Sequence, residues 1–277
     1  MRVVTYSSNS GPGRAGIENG SGIVDAADSL GVESASVREL IADGRLDDLA
    51  GIEQDTVAGE VELLPPIPDP DKIVCIGLNY RSHAAEAGID PPEAPTFFAK
   101  FRNALAPAGA AVRLPGASEK VDYEAEVAFV IGRQCREVSA GDAIEAVAGY
   151  MLLNDLSARD LQFGTPQWMP GKVFDGSAPC GPALVTPDEA GPHDAISFAL
   201  DLNGERMQEA STDDLIFSVP ELIERLSRLM TLEPGDIVST GTPSGVGSVR
   251  EPRVWLQPGD EIVISSETLG RLETVIR

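Results

Sequence analysis

Asp122-Tyr-Glu-Ala-Glu-Val-Ala-Phe-Val-Ile-Gly132 is the stretch that decides the fold, because its pattern fits a strand covered on both faces. Successive residues of a strand point to opposite faces. One face is apolar throughout and consists of Tyr123, Ala125, Val127, Phe129 and Ile131. The other face starts with carboxylates and ends apolar, with Asp122, Glu124, Glu126, Ala128 and Val130. The pattern predicts carboxylates at the mouth of a core; the alternative is an edge strand with a solvated acidic end.

The glutamates of this stretch indicate a bound cation. Neighbouring buried carboxylates repel each other and are costly to desolvate, and a hard divalent cation with oxygen ligands removes that cost. A second predicted strand, Ala148–Asn154, ends directly before Asp155, and Ser157 suits the N-cap of a following helix. Asp155 would therefore complete a three-carboxylate site with Glu124 and Glu126. Such a site favours Mg²⁺, Mn²⁺ or Ca²⁺ over zinc.

Composition and charge exclude several classes of partner. The 277 residues contain no apolar run of about 18 residues and no signal-peptide pattern at the N-terminus, which predicts a soluble, cytoplasmic protein without a membrane partner. The net charge of −23 argues against nucleic acid and anionic membranes, because phosphate binding needs clustered Lys and Arg. An acidic surface of this kind is typical of halophilic proteins; an acidic protein from a GC-rich non-halophile is the alternative.

The cysteines indicate neither a disulfide framework nor a zinc site. Cys75, Cys135 and Cys180 are odd in number, lie far apart and form no C-x-x-C pair. We expect buried or half-buried free thiols.

Three segments divide the chain. Residues 1–64 predict a small N-terminal α/β module, in which Ser36 and Glu39 form the capping box of a helix. Residues 65–70, Pro-Pro-Ile-Pro-Asp-Pro, predict a stiff extended connector. Residues 71–277 form the third segment. Its last part, residues 180–277, consists mostly of short strands and turns with one helix at 218–227, which predicts an all-β roll or an α+β fold that is mostly β.

A candidate general base follows the first strand of the third segment. The strand Lys72–Gly77 leads into a short helix that stops at Gly88. His83 and Glu86 are three residues apart and therefore share one face of that helix. A carboxylate that binds an imidazole fixes its tautomer and raises its basicity, as the activation of water requires. A surface pair without function is the alternative.

Two loops complete the candidate site. Pro170-Gly-Lys-Val-Phe-Asp175 places Lys172, one of only four lysines, in a loop soon after the third acid. Thr240-Gly-Thr-Pro-Ser-Gly-Val-Gly247 is Gly-rich but lacks the Lys-Ser/Thr of a P-loop and the spacing of a dinucleotide fingerprint. We interpret it as a tight loop that brings backbone N–H groups and Thr hydroxyls to an anion. The segment 88–116 is rich in proline and typical of a lid.

Taken together, these stretches resemble the fumarylacetoacetate hydrolase family, in its short bacterial and archaeal form. The resemblance runs from about Lys72 to the C-terminus and rests on Gly77-Leu-Asn-Tyr80, His83-x-x-Glu86, Asp122-Tyr-Glu-Ala-Glu126, Asn154-Asp-Leu-Ser-Ala-Arg-Asp-Leu-Gln162, Gly171-Lys-Val-Phe-Asp175 and the Thr240–Gly247 loop. It implies a mixed-sheet β-roll, a homodimer, and Mg²⁺ or Mn²⁺ on Glu124, Glu126 and Asp155. It also implies a His83–Glu86 dyad on a mobile segment, a catalytic Lys172, and a substrate surrounded by Tyr80, Arg159, Gln162 and Thr242. Leu156 departs from the family pattern, in which many members carry Trp.

The resemblance narrows the reaction to a small 2-oxo acid or diketo acid whose enolate a divalent cation stabilises. Hydrolysis of a C–C bond in a 3-acylpyruvate is the reaction we expect, because the His83–Glu86 pair can activate water. Decarboxylation of a 2-oxo acid, hydroxymuconate-type isomerisation and dehydration of a 2-keto-3-deoxy sugar acid are the enzymatic alternatives. A metal-dependent dicarboxylate-binding protein is the alternative without catalysis.

Overall fold

Short strands make up most of the regular structure. The structure, a computed structural model of the chain, describes residues 1–8, 11–52, 55–57 and 59–277. The strands are β1 (Arg2–Ser8), β2 (Arg14–Asn19), β3 (Gly22–Asp25), β4 (Val61–Leu64), β5 (Ile73–Gly77), β6 (Thr96–Lys100), β7 (Leu105–Ala106), β8 (Ala110–Val112), β9 (Val121–Asp122), β10 (Ala125–Ile131), β11 (Val147–Asn154), β12 (Ser157–Ala158), β13 (Ala178–Val185), β14 (Ser197–Leu202), β15 (Glu205–Ser211), β16 (Ile237–Ser239), β17 (Glu261–Ser266) and β18 (Gly270–Ile276). The helices are α1 (Ala26–Leu30), α2 (Val37–Ala42), α3 (Arg81–Ala87), α4 (Ala140–Ala143), α5 (Arg159–Gln162), α6 (Pro187–Ala190) and α7 (Val219–Leu229).

Two sheets organise these strands. The larger one is mixed and runs in the order β3-β2-β1-β13-β11-β10-β16-β5-β6, with β4 paired to β1 and β7 paired to β13. The second sheet has the order β15-β14-β17-β18-β8, and β9 pairs with β12 in a small ribbon. The prediction of an α+β fold that is mostly β, built on a mixed-sheet roll, is confirmed.

Strand β10 lies in the middle of the larger sheet, between β11 and β16. The alternative of an acidic edge strand is therefore wrong. On one face, Val127, Phe129 and Ile131 pack into the larger hydrophobic cluster. On the opposite face, Ala128 and Val130 pack into a second cluster. Both faces of the strand are thus covered, as the alternation predicts. The predicted strand is interrupted at Tyr123 and Glu124, which separate β9 from β10.

The leading residues join the larger sheet through β1, which pairs antiparallel with β13 at Arg2↔Val185 and Val3↔Leu184. The capping box of α2 is present, with the Ser36 side chain accepting from the Glu39 N–H. The proline-rich residues 65–67 are buried. Residues 9, 10, 53, 54 and 58 of the predicted module lie outside the described residues, and the division into 1–64, 65–70 and 71–277 stays a prediction.

Several local predictions need correction. The loop-rich segment 88–116 contains β6, β7 and β8, because pairing with β5, β13 and β18 outweighs the local effect of its prolines. Ser157 is not an N-cap: it lies in β12, and α5 begins at Arg159. A short helix, α6, follows β13 and precedes the helix predicted at 218–227. The expectation of buried free thiols is confirmed for Cys75, Cys135 and Cys180.

Among the described residues, no helix combines the length and the apolar character that a membrane crossing requires.

Candidate active site

Strand register brings the three predicted carboxylates together. Ala125 in β10 pairs with Asn154 in β11, so Glu124 and Glu126 flank the position at which β11 ends and Asp155 follows. One oxygen from each of the three carboxylates lies within 4.8 Å of the others, and all three side chains are buried. We call Glu124, Glu126 and Asp155 the acidic triad.

Three cations compensate part of this buried charge. Lys172 Nζ donates to Glu124 Oε2 and to Asp155 Oδ2, both at 2.7 Å. Arg159 Nη1 lies 2.7 Å from Glu124 Oε1, and Lys100 Nζ donates to Asp155 Oδ1 at 2.7 Å. Lys172 also lies 5.0 Å from the centre of the Phe98 ring, in the position of a cation–π contact.

Glu126 is the member of the triad without a cationic partner among the described residues. Its Oε2 accepts from the Ser239 hydroxyl and, at 3.0 Å, from the Gly241 N–H. Burial and the neighbouring carboxylates Asp155 and Glu124 raise the pKa of Glu126 well above its usual range. Glu124 differs, because Arg159 and Lys172 outweigh the effect of burial and lower its pKa to about 2.

The donor set fits a divalent cation. A carboxylate that faces two other carboxylates and only neutral donors leaves negative charge uncompensated, which an ion with oxygen ligands would neutralise. The acidic triad could therefore bind a divalent metal ion, with oxygen ligands from Glu124, Glu126 and Asp155.

Asp122 has a structural function at the site. Its Oδ2 accepts from Arg159 Nε at 2.9 Å and Nη2 at 2.8 Å, while its Oδ1 accepts from the Gly247 N–H at 2.7 Å. A Cβ at Gly247 would lie 2.1 Å from the Val254 carbonyl oxygen, so only glycine fits there. Asp122 thus fixes Arg159 and the end of the Thr240–Gly247 loop.

The Gly-rich loop presents backbone N–H groups to carboxylates, and its binding of a separate anion stays a prediction. The anions that it binds in the structure are side chains of this chain, since the Gly241 N–H donates to Glu126 and the Gly247 N–H to Asp122. Thr242 Oγ1 donates to the Ala125 carbonyl oxygen at 3.0 Å and accepts from Gln208. Thr242 therefore fixes the loop against β10 and also lines the cavity described below.

The predicted dyad lies on α3. His83 Nδ1 and Glu86 Oε2 are 3.3 Å apart, and both side chains are partly exposed. Glu86 Oε1 accepts from the Gly245 N–H at 2.9 Å, so the carboxylate is anchored to the Gly-rich loop while it faces the imidazole. Gly88 ends the helix in the left-handed conformation, as predicted.

A cavity of about 570 Å³ is lined by two residues of the triad and by His83 of the dyad, whereas Asp155 and Glu86 are not part of its lining. Of the predicted site residues, His83, Glu124, Glu126, Arg159, Gln162, Lys172 and Thr242 line it. Gln162 also accepts from Arg159 Nη1 at 3.0 Å. Tyr80, by contrast, is fully buried and packs edge-on against Phe198, outside the lining of the cavity. Tyr80 is therefore not placed to contact a ligand in this cavity directly.

Sequence reasoning missed four residues of the site. Lys100 is one of only four lysines in the sequence, and this scarcity was the signal that could have identified it. Asp122 belongs to the acidic face of the deciding stretch, yet its partner Arg159 lies 37 positions away. Trp168 and Trp255 form apolar walls of the cavity and come from segments without a recognisable pattern.

Comparison with known proteins defines the class of this chain. The sequence model of the family described as "Fumarylacetoacetate (FAA) hydrolase C-terminal" matches residues 72–277. Oxaloacetate tautomerase FAHD2B, a mitochondrial protein of Bos taurus, is 44% identical over 214 residues, which cover 76% of this chain and 68% of the relative.

Solved structures give the same class. The fumarylacetoacetate hydrolase of psychrophilic Exiguobacterium antarcticum superposes with a TM-score of 0.85 at 31% identity and covers 100% of this chain and 99% of its own. The 5-carboxymethyl-2-hydroxymuconate delta-isomerase of Mycobacterium smegmatis gives a TM-score of 0.80 at 31% identity, with coverage of 100% and 98%.

The chain belongs to the fumarylacetoacetate hydrolase family, and the resemblance stated from its motifs is confirmed. The similar proteins are named as a tautomerase, a hydrolase and an isomerase. This is a family of enzymes that share one fold and differ in the reaction they catalyse.

Proposed function

We propose that this protein is a metal-dependent enzyme that interconverts the keto and enol forms of a small 2-oxo acid of the oxaloacetate type. The observation that carries the proposal is the cluster of three buried carboxylates around the Lys172 ammonium, of which Glu124, Glu126 and Lys172 line one cavity. The 44% identity to a protein named as an oxaloacetate tautomerase supports this reaction over the others.

Mg²⁺ or Mn²⁺ is the cation that we propose for the triad, with Ca²⁺ as an alternative occupant, because all three ligands are carboxylate oxygens. When bound, such a cation supplies a Lewis acid for the carboxylate and keto oxygens of the substrate.

Lys172 is the residue that we expect to stabilise negative charge on the enolic oxygen. Its ammonium is buried and already paired with carboxylates, which outweigh the effect of burial and raise its pKa to about 12, so it stays protonated at neutral pH. A buried, fixed cation at the position where charge develops is worth roughly 3–4 kcal/mol of transition-state stabilisation in other enzymes. Arg159 and Gln162 line the same part of the cavity and would orient the carboxylate of the substrate.

His83 is the residue that we expect to move the proton at C3. Glu86 lies next to Nδ1, so Nε2 is the ring nitrogen left for the cavity that His83 lines. Tautomerisation requires a base that takes the C3 proton and returns it to oxygen, and an imidazole can accept and donate a proton in turn.

Hydrolysis of the C–C bond in a 3-acylpyruvate is the second candidate. The His83–Glu86 pair favours it, because an imidazole held by a carboxylate can deprotonate an attacking water. The similarity to a protein named as a fumarylacetoacetate hydrolase supports this candidate as well. Decarboxylation, dehydration and simple binding of a dicarboxylate remain outcomes of the test.

In the decisive experiment, purified protein and Mg²⁺ are incubated separately with oxaloacetate, acetylpyruvate and a 2-keto-3-deoxy sugar acid. Enol absorbance would follow tautomerisation, and mass spectrometry would follow bond cleavage. We expect the enol of oxaloacetate to reach equilibrium faster than in buffer, and we expect EDTA to remove this acceleration. If none of the 2-oxo acids reacts, the proposal is wrong and the dicarboxylate-binding protein is favoured. Size measurement in solution would test the homodimer, which stays a prediction.

A further inference from the structure

Lys100 is a buried cation to which the proposed chemistry gives no role. Its Nζ donates to Asp155 Oδ1 at 2.7 Å, while Lys172 Nζ donates to Asp155 Oδ2, also at 2.7 Å. Lys172 lines the cavity, whereas Lys100 lines a different groove, along β6. One oxygen of Asp155 is therefore committed to a cation outside the cavity lining, and the other oxygen lies beside a cation that belongs to it.

Glu126 shows the same division between its two oxygens. Its Oε2 accepts from the Ser239 hydroxyl and from the Gly241 N–H, whereas no hydrogen bond to Oε1 is present among the described residues. Ser239 is fully buried in β16, which is paired on one side with β10 and on the other with β5. The donor to Oε2 is thus held by a central strand of the larger sheet and does not line the cavity.

In Glu124, the third member of the triad, one oxygen is held by a guanidinium. Its Oε1 lies 2.7 Å from Arg159 Nη1, and Asp122 fixes that guanidinium from its other side. Its Oε2 accepts from Lys172 Nζ at 2.7 Å. Each triad carboxylate therefore has one oxygen outside these fixed contacts, and the three oxygens are Glu124 Oε2, Glu126 Oε1 and Asp155 Oδ2.

Divalent ions differ in how they use carboxylates. Ca²⁺ takes about six to eight oxygen ligands and often binds both oxygens of one carboxylate. Mg²⁺ requires a near-octahedral arrangement and keeps several water molecules, so it needs few protein ligands. A site in which each of three carboxylates offers a single oxygen suits Mg²⁺, whereas Ca²⁺ would gain a further protein oxygen only if a held oxygen were released.

We propose that Lys100 and Ser239 are positioning residues that select the metal ion. By holding Asp155 Oδ1 and Glu126 Oε2, they restrict each of these carboxylates to one ligand oxygen, which favours Mg²⁺ and Mn²⁺ over Ca²⁺. The inference rests on the proposed function, because it takes the acidic triad as the metal site, and it names residues behind the choice of ion. Donors that orient metal ligands from outside the coordination sphere commonly change metal affinity by about 10- to 100-fold.

Calorimetric titration of the metal-free protein with MgCl₂ and with CaCl₂ tests this inference through the ratio of the two dissociation constants. We expect the wild-type protein to bind Mg²⁺ about tenfold more tightly than Ca²⁺. Lys100→Met should shift this ratio about tenfold towards Ca²⁺, because Asp155 can then offer both oxygens. Tighter binding of Ca²⁺ than of Mg²⁺ by the wild-type protein would overturn the inference.

Lys172→Met is the matched control for charge. It removes the same charge from the same carboxylate, but at the oxygen left for the ion, so both ions should bind more tightly at an unchanged ratio. Equal shifts of the ratio in Lys100→Met and Lys172→Met would indicate a general electrostatic effect and overturn the inference.

Ser239→Ala is a second test, which changes no charge and applies even if Lys100→Met fails to fold. The Gly241 N–H still holds Glu126 Oε2 in this variant, so the ratio should shift towards Ca²⁺ by a smaller factor, about two- to threefold. An unchanged ratio in Ser239→Ala would refute the role of the held oxygens.

Exchange of the C3 protons of oxaloacetate with D₂O in the presence of Mg²⁺, followed by NMR, separates this inference from the proposed function. Selective Mg²⁺ binding that depends on Lys100 and Ser239, without faster exchange than in buffer, would support the inference and refute the enolising function. Faster exchange without ion selectivity would do the reverse. If neither ion binds, both proposals are wrong.

Discussion

Replacing Lys172 by methionine removes the ammonium that bridges Glu124 and Asp155, and the structure allows the consequences to be worked out. Four buried carboxylates and three buried cations meet here: Asp122, Glu124, Glu126 and Asp155 against Lys100, Arg159 and Lys172. Because the pKa of Glu126 is raised well above its usual range, Glu126 favours the neutral acid, and the other three carboxylates balance the three cations. The substitution leaves one negative charge without a cation. The variant without metal should therefore be less stable than the wild-type protein.

The expected loss is large. Removing one partner of a buried ion pair costs about 3–5 kcal/mol, because the remaining charge stays buried without compensation. For a protein of this size such a loss corresponds to a fall in Tm of roughly 5–15 °C. Turnover should fall about 10²- to 10³-fold if Lys172 stabilises the enolic oxygen.

Divalent metal should reverse the loss of stability but not the loss of turnover. The additional negative charge strengthens the attraction for Mg²⁺, so Lys172→Met should bind Mg²⁺ more tightly than the wild-type protein. At about one hundred times the dissociation constant, a ligand that binds only the folded state adds about 2.7 kcal/mol. Scanning calorimetry in EDTA and along a Mg²⁺ titration measures this effect directly.

Lys72→Met provides the control. Lys72 Nζ also pairs with a buried carboxylate, Asp236 Oδ2 at 2.8 Å, but away from the triad. This variant should lose stability without recovering it in Mg²⁺ beyond the gain of the wild-type protein. Equal Mg²⁺ stabilisation of the wild-type protein, Lys72→Met and Lys172→Met would refute the reasoning.

Three further expectations follow from the geometry. Asp155→Ala should lose metal binding and activity and should also lose stability, because Lys100 and Lys172 would each lose a buried carboxylate partner; calorimetry with Mg²⁺ and thermal unfolding check both, and retained activity in EDTA would contradict it. Glu86→Gln should slow exchange of the C3 protons of oxaloacetate with D₂O about 10²- to 10⁴-fold, because His83 loses the carboxylate that faces its Nδ1; NMR measures the exchange, and an unchanged rate would contradict the role proposed for His83. Burial opposes ionisation of Asp25, but hydrogen bonds from Arg14 and Tyr6 lower its pKa to about 2, below the value of about 3.9 in unfolded chains. The stability that this carboxylate contributes is therefore present above about pH 4 and is lost as the pH falls towards 2, so in urea unfolding the difference between wild type and Asp25→Asn should shrink over that range.

Local chemistry made part of this fold predictable. The alternation in Asp122–Gly132 reports burial on both faces, and the structure places β10 between two strands. The capping box that begins α2 and the glycine that ends α3 are signals formed by residues within a few positions of each other. Signals of this kind are complete within a short window of sequence.

The missed features depend on partners far away in the chain. Strand β6 lies in a proline-rich segment, and it is a strand because β5 supplies its hydrogen bonds. Lys100 ends that strand, so its approach to Asp155 could not be read from its neighbours in sequence. Tyr80 lies in a motif of the family, yet its burial against Phe198 is a product of tertiary packing.

The pairing of β1 with β13 has a consequence for anyone who shortens this chain. The family match starts at residue 72, and a fragment cut there would lose β1 and with it one hydrogen-bonded neighbour of β13. The exposed N–H and C=O groups of β13 would then be free to recruit a strand from another molecule. Such a fragment is expected to aggregate during expression, so the leading residues belong in any version of the protein that is made for crystallisation.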